Sequence, residues 1–142
     1  MDPQVRKIWN ELTAGKYAPV YFLQGEETFY IDLIADYIEA HALSETEKSF
    51  NQVIMYGKDA SMAAILTNAR RFPMMSERQV VIVKEAQDIQ DLNKEIGAKR
   101  WLGYLAKPLV STVLVFCHKH KTLDIRRDLG KKIDLYATTL NS

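Results

Sequence analysis

Val80-Val81-Ile82-Val83 sets four β-forming aliphatic residues in a row. A strand with one wet face would alternate apolar and polar residues, so a run this short and this apolar belongs to a strand covered on both faces, as in a parallel sheet. It reads as the central strand. Val20-Tyr21-Phe22-Leu23, bounded by Pro19 and Gly25, reads as the first strand, Val53 to Tyr56 as the second and Thr112 to Cys117 as the fourth. Between them run helical periodicities. Val5, Ile8, Trp9 and Leu12 share one face before Gly15. Ile31, Ile34, Ala35, Ile38 and Ala42 predict a helix that starts with Thr28 as N-cap and runs to about Leu43. Ile65, Leu66 and Ala69 line another, entered through Asp59 or Ser61 and ended by Pro73. A loosely helical stretch from Gln87 to Arg100 leads into Trp101, Leu102 and Leu105 and closes at Pro108. A helix over Asp124 to Leu129 and a last strand over Ile133 to Thr139 complete the chain. Such alternation predicts an α/β fold, a three-layer α/β/α sandwich on a five-stranded, mostly parallel sheet with right-handed crossovers.

A chain of 142 residues can bury roughly two thirds of its unfolded surface, so disulfides and structural metals are not required. With 47% apolar and 26% charged residues, disorder, collagen and a disulfide scaffold are excluded. The single Cys117 closes no internal bridge and fits a reducing compartment. The longest apolar stretch, Leu109 to Cys117, is broken by Ser111 and Thr112 and falls short of the ~20 residues that span a bilayer. The N-terminus leads into a polar helix pattern and not an apolar signal core. The expectation is one cytoplasmic domain over residues 1–142, without repeats or linkers. Because the chain stops directly after a strand, it reads as a piece of something longer.

In doubly wound sheets ligands bind beyond the carboxyl ends of the strands. The turn after the first strand is Gly25-Glu26-Glu27-Thr28. A phosphate loop needs a second glycine, then Lys and Ser/Thr, and none is present. Glu26 and Glu27 instead put two carboxylates at a helix N-terminus, where an anion would otherwise be attracted. Phosphate is repelled, and the turn reads as a carboxylate-capped helix. After the central strand, an ATPase would carry metal-binding and water-activating acids. Only Glu85 has the right type, and Lys84 stands where an Asp is wanted. Cys117, His118 and His120 fall short of a metal trio, because adjacent strand residues face opposite ways and no fourth ligand is near. Nor does any residue nearby supply the orienting acid that a Cys117 nucleophile would need. No catalytic residue, metal or cofactor is expected.

From His118 to Lys132 the chain carries Lys119, Lys121, Arg126, Arg127, Lys131 and Lys132 against Asp124 and Asp128. This patch could meet DNA phosphates. With no aromatic interleaved to stack on bases, a solvated helix face is the better reading. Arg70-Arg71-Phe72-Pro73-Met74-Met75-Ser76-Glu77-Arg78 differs in kind, placing three large apolar side chains where a turn is predicted. Composition alone favours core packing for them, although methionine also suits an irregular pocket on a partner.

Ala18-Pro19-Val20-Tyr21-Phe22-Leu23-Gln24-Gly25-Glu26-Glu27, followed by Phe29-Tyr30-Ile31-Asp32, resembles the opening signature of the bacterial DNA polymerase III delta subunit family. Phe72 to Ala86 is similar to that family's second signature, and Leu123-Asp124-Ile125-Arg126-Arg127 to a third. The resemblance implies a clamp-loader domain of AAA+ type, on a P-loop NTPase-like fold, that has lost nucleotide binding and does not hydrolyse ATP. It implies a hydrophobic wedge that enters a pocket on the sliding clamp and helps open the ring. On this sequence the wedge falls on Met74 and Met75, shaped by Phe72 and Pro73. Members often carry bulkier aromatic or leucine side chains there, so two methionines depart from the pattern. The family's helical lid and collar, which join the ATP-hydrolysing subunits, do not fit in 142 residues. The resemblance thus implies a monomeric N-terminal domain whose partners are the sliding clamp, the other loader subunits through the absent domains, and DNA indirectly. Arg126, Arg127, Lys131 and Lys132 would then face DNA or a neighbouring subunit. A degenerate nucleotide-binding enzyme and a DNA-binding module are the alternatives.

Overall fold

The computed structural model describes residues 2–120, 131, 133 and 137–141. Five parallel strands form one sheet: β1 (Val20–Gly25), β2 (Gln52–Tyr56), β3 (Gln79–Lys84), β4 (Thr112–Lys119) and β5 (Thr138–Asn141). Their order is β2-β3-β4-β1-β5, so the central place falls to β4, and β3, the strand expected there, lies one place from the β2 edge, still paired on both sides and covered on both faces. The sheet is built as the apolar runs dictate. Val80, Val81, Ile82 and Val83 are fully buried, and the residues of β3 alternate between two cores.

On one face, Tyr21, Leu23, Val80, Ile82, Val115 and Cys117 pack against α1 (Pro3–Thr13) and α2 (Phe29–His41). On the other, Phe22, Val81, Val83, Leu114 and Phe116 pack against α4 (Met62–Ala69) and α5 (Glu95–Ala106). The predicted faces are buried at Val5, Ile8 and Leu12 on α1 and at Ile31, Ile34, Ala35 and Ile38 on α2, whereas Trp9, expected on the α1 face, is only half-buried, its ring 4.9 Å from that of Tyr37. A short helix, α3 (Glu45–Asn51), precedes β2.

Several expectations need correction. The last strand is Thr138–Asn141, not Ile133 to Thr139. Ile133 is helical and buried, its carbonyl accepting the Ala137 N–H at 2.9 Å. Thr28 occupies the N-cap position of α2 without a capping bond from its side chain. The Glu27 carboxylate accepts the Phe29 N–H there at 2.9 Å instead. α4 is capped by Ser61, one of the two expected entries, whose Oγ accepts the Ala64 N–H, but it stops at Ala69, ahead of Pro73. Of the stretch from Gln87 to Arg100, only Glu95 onward belongs to α5. The helix predicted over Asp124 to Leu129 lies outside the described residues.

Candidate functional site: the turn before the third strand

The two stretches singled out by sequence lie at opposite ends of the sheet. Gly25 to Thr28 follows the carboxyl end of β1, whereas Phe72 to Met75 precedes the amino end of β3. A six-residue strand separates such ends by about 20 Å.

At the carboxyl end, where the order of strands reverses between β1 and β4, a doubly wound sheet offers its ligand crevice. Lys119, last residue of β4, occupies it. Its Nζ lies 2.7 Å from Asp32 Oδ1 on α2 and 3.7 Å from Glu85 Oε2 after β3. Partial burial pulls the Lys119 pKa down, but Asp32 and then Glu85 outweigh it and hold the ammonium above its ordinary value. Lys84 is likewise paired, with Glu39 at 3.2 Å. Glu85, in the left-handed region at φ 52°, accepts from Gln87 Nε2 at 3.0 Å. The cation that could have met a phosphate is therefore engaged by this chain's own carboxylates, and Glu26 and Glu27 are exposed beside it. An incoming polyphosphate would meet four carboxylates, each like-charge encounter at ~4 Å costing about 1 kcal/mol even in bulk water.

The β4 residues proposed and rejected as ligands point apart. Cys117 is buried among the α1 and α2 side chains, while the His118 ring stands 5.4 Å from that of Phe22 in the opposite core. Burial pushes the Cys117 thiol up to about 12, which removes it as a nucleophile. Among the described residues, no three His, Cys, Asp or Glu side chains come together as metal ligands. Arg126, Arg127 and Lys132 lie outside the described residues, and Lys131 is exposed.

The turn at the amino end has the opposite character. Phe72 is 75% exposed, Met74 55% and Met75 100%, with Pro73 half-buried between them. These side chains are not core. Met75 also holds φ at 54°, a left-handed conformation that costs an unbranched L-residue on the order of 1 kcal/mol. The surrounding structure imposes it. At the start of the turn, buried Gln79 donates from Nε2 to the Arg71 carbonyl at 2.6 Å and to Thr112 Oγ1 at 2.9 Å, tying α4, the turn and β4 together. In the middle, the Asn51 side chain holds Met74 at both backbone groups. At the far end, Ser76 Oγ donates to Glu47 Oε2 at 2.5 Å, and Arg78 donates to the Ala42 carbonyl at 3.3 Å while lying over the Tyr17 ring, 4.5 Å from its centroid.

Sequence reasoning missed these supports. Three of them stem from α3 and the residues before it, and α3 itself shows no apolar face. Its one signal was Ser44-x-x-Glu47, a capping box in which Glu47 N–H donates to Ser44 Oγ and Glu47 Oε1 accepts from Ser44 N–H. The same Glu47 carboxylate thus closes the helix and anchors the turn. The Ser76 hydroxyl and then the Ser44 amide hold its pKa below the ordinary 4.5. A depressed carboxylate pKa stabilises the fold fully above the unfolded value, and the gain is lost as pH falls through the folded value. The stability difference between the parent and Glu47→Gln should therefore shrink as pH falls through the ordinary carboxylate value of 4.5 and below it. Urea denaturation at each pH reads it, and a pH-independent difference would exclude this role for the carboxylate.

The sequence profile of the family described as DNA polymerase III, delta subunit, matches residues 21–142. The chain belongs to the DNA polymerase III delta-subunit family. Over 134 residues it is 28% identical to DNA polymerase III subunit delta of Bacillus subtilis (strain 168), covering 92% of this chain and 39% of that one. A solved structure described as the Bacillus subtilis DNA clamp loader delta protein superposes with a TM-score of 0.83 at 25% identity, over 97% of this chain and 42% of that one. A Thermotoga maritima protein related to the DNA polymerase III gamma subunit superposes with a TM-score of 0.56 at 14% identity, over 98% of this chain and 45% of its own, a likeness of fold alone. This delta-family chain therefore spans about two fifths of the length of the Bacillus relatives. Among its described residues no helix is long and apolar enough to cross a membrane.

Proposed function

We propose that this delta-family domain docks on the sliding clamp through the turn Phe72-Pro73-Met74-Met75 and helps to open the ring for loading onto DNA, without hydrolysing ATP itself. The observation that carries the reading is a turn with three large apolar side chains in solvent, held in a strained conformation by four separate side-chain supports. Flexible, polarizable methionines at the tip suit an irregular apolar pocket. The domain would act by differential binding, since a wedge that fits an open ring interface better than a closed one shifts that equilibrium by the difference in affinity and by no more. Its cytoplasmic setting and its assembly with ATP-hydrolysing loader subunits belong to the same proposal.

Calorimetric titration of the chain into the sliding clamp of the same organism tests it, with the variant Met74→Ala/Met75→Ala as control. Saturable binding by the parent, weakened roughly 30- to 1,000-fold in the variant, is the expected result. Equal binding by both would remove the wedge from the reading. In a parallel titration with ATP and magnesium, no heat of binding is expected, because Lys119 is already neutralised by Asp32 and Glu85. Saturable ATP binding would return the crevice to the nucleotide sites.

A further inference from the structure

We propose that Asn51 is a positioning residue for clamp binding, a latch that holds the docking turn in its binding conformation before the partner arrives. The inference rests on the clamp-docking reading above. Asn51 ends α3 and is only 3% exposed. Its Oδ1 accepts the Met74 N–H at 2.6 Å, and its Nδ2 donates to the Met74 carbonyl at 2.8 Å. The second Nδ2 hydrogen goes to the Glu47 carbonyl, one turn back in α3, at 3.1 Å. One amide thus copies the two-bond pattern of a neighbouring strand, but to a single residue of an otherwise exposed turn. Both Nδ2 hydrogens are used, so the side chain cannot rotate away without leaving buried polar groups unpaired.

What this fixes is the direction of the tip. Met74 is pinned at N–H and C=O, and the next residue, Met75, takes φ 54° and projects wholly into solvent. An unbranched L-residue prefers to leave that region. Without the latch the turn would relax into several conformations, of which only a fraction is competent to dock, and the apparent dissociation constant rises by the inverse of that fraction. Asn51 touches no partner in this scheme. It acts through Met74.

The test is a double-mutant cycle on the chain, with binding kinetics to the immobilised sliding clamp. Asn51→Ala should weaken binding by on the order of tenfold, chiefly through a slower association rate, as expected when the competent fraction falls. Met74→Ala/Met75→Ala should act chiefly on dissociation. Adding Asn51→Ala to that double variant should cost nothing further, because there is no tip left to aim. An affinity for Asn51→Ala within twofold of the parent overturns the proposal, as does a loss that persists undiminished in the Met74/Met75 background. Asn51→Ser keeps a hydroxyl but is too short to span both Met74 backbone groups, so it serves as a second variant should the alanine fail to fold, with a comparable loss of affinity expected. Hydrogen exchange at the Met74 amide should accelerate in Asn51→Ala, and unchanged protection also overturns the latch. If Met74→Ala/Met75→Ala binds like the parent, the docking reading has failed on its own, whereas the exchange measurement still judges the latch.

Discussion

Alanine at both Met74 and Met75 should weaken binding to the sliding clamp by about 2–4 kcal/mol, roughly 30- to 1,000-fold in affinity, the range in which paired interface anchors fall. The melting temperature should hardly move. Surface substitutions outside special features stay within about 0.5 kcal/mol, and Met75 has no burial to lose, being fully exposed. That separation between affinity and stability is what distinguishes a docking tip from a core residue. A large drop in melting temperature with proportionate loss of binding would mean that the side chains support the fold instead. The thermal scan and the titration on one preparation decide between them.

The largest effect on stability is expected in the core between the sheet and helices α4 and α5. Trp101 of α5 is fully buried, its ring centred 4.5 Å from that of Phe116 on β4. Trp101→Ala should cost about 3–5 kcal/mol, because the lost burial is compounded by a cavity that the surrounding sheet and helices cannot close. For a domain of this size that corresponds to a melting temperature lower by about 10–20 °C, against a total stability of only about 5–15 kcal/mol. Trp101→Phe should be milder. The indole Nε1–H has no hydrogen-bond partner among the described residues, so removing it relieves an unmet donor while most of the apolar volume stays. Equal losses for Phe and Ala would contradict this expectation. Both variants are read by urea or thermal unfolding.

These expectations rest on different levels of the chain. The core behind Trp101 was legible because both-face burial leaves a local mark. Val80 to Val83 could not be a surface strand, and the i, i+3, i+4 spacing in α1 and α2 reported the buried face whatever the helices pack against. The acid-lined crevice at the carboxyl end of the sheet was half legible. Glu26 and Glu27 announced the negative charge there, but the bridge from Lys119 to Asp32 and Glu85 joins residues far apart in sequence.

Where burial leaves no periodic mark, reading failed. Glu45-Thr46-Glu47-Lys48-Ser49-Phe50-Asn51 is polar almost throughout, and Asn51 is its one buried residue, so α3 was passed over. β5 contains a single buried apolar residue, Leu140, and its place is set by pairing with β1, Phe22 opposite Thr139. Ile133, apolar and β-branched, drew the prediction of a strand upstream while serving a helix.

The sequence by itself determined the α/β class, the strands β1 to β4, the helix faces and the family, because apolar periodicity and short signatures are local properties of a chain. Tertiary structure alone decided that Phe72, Met74 and Met75 stand in solvent and that Asn51, Glu47, Gln79 and Arg78 hold them there. Exposure depends on what else the fold brings alongside, and hydrogen bonds between residues more than twenty positions apart, such as Asn51 to Met74, leave no pattern in the sequence.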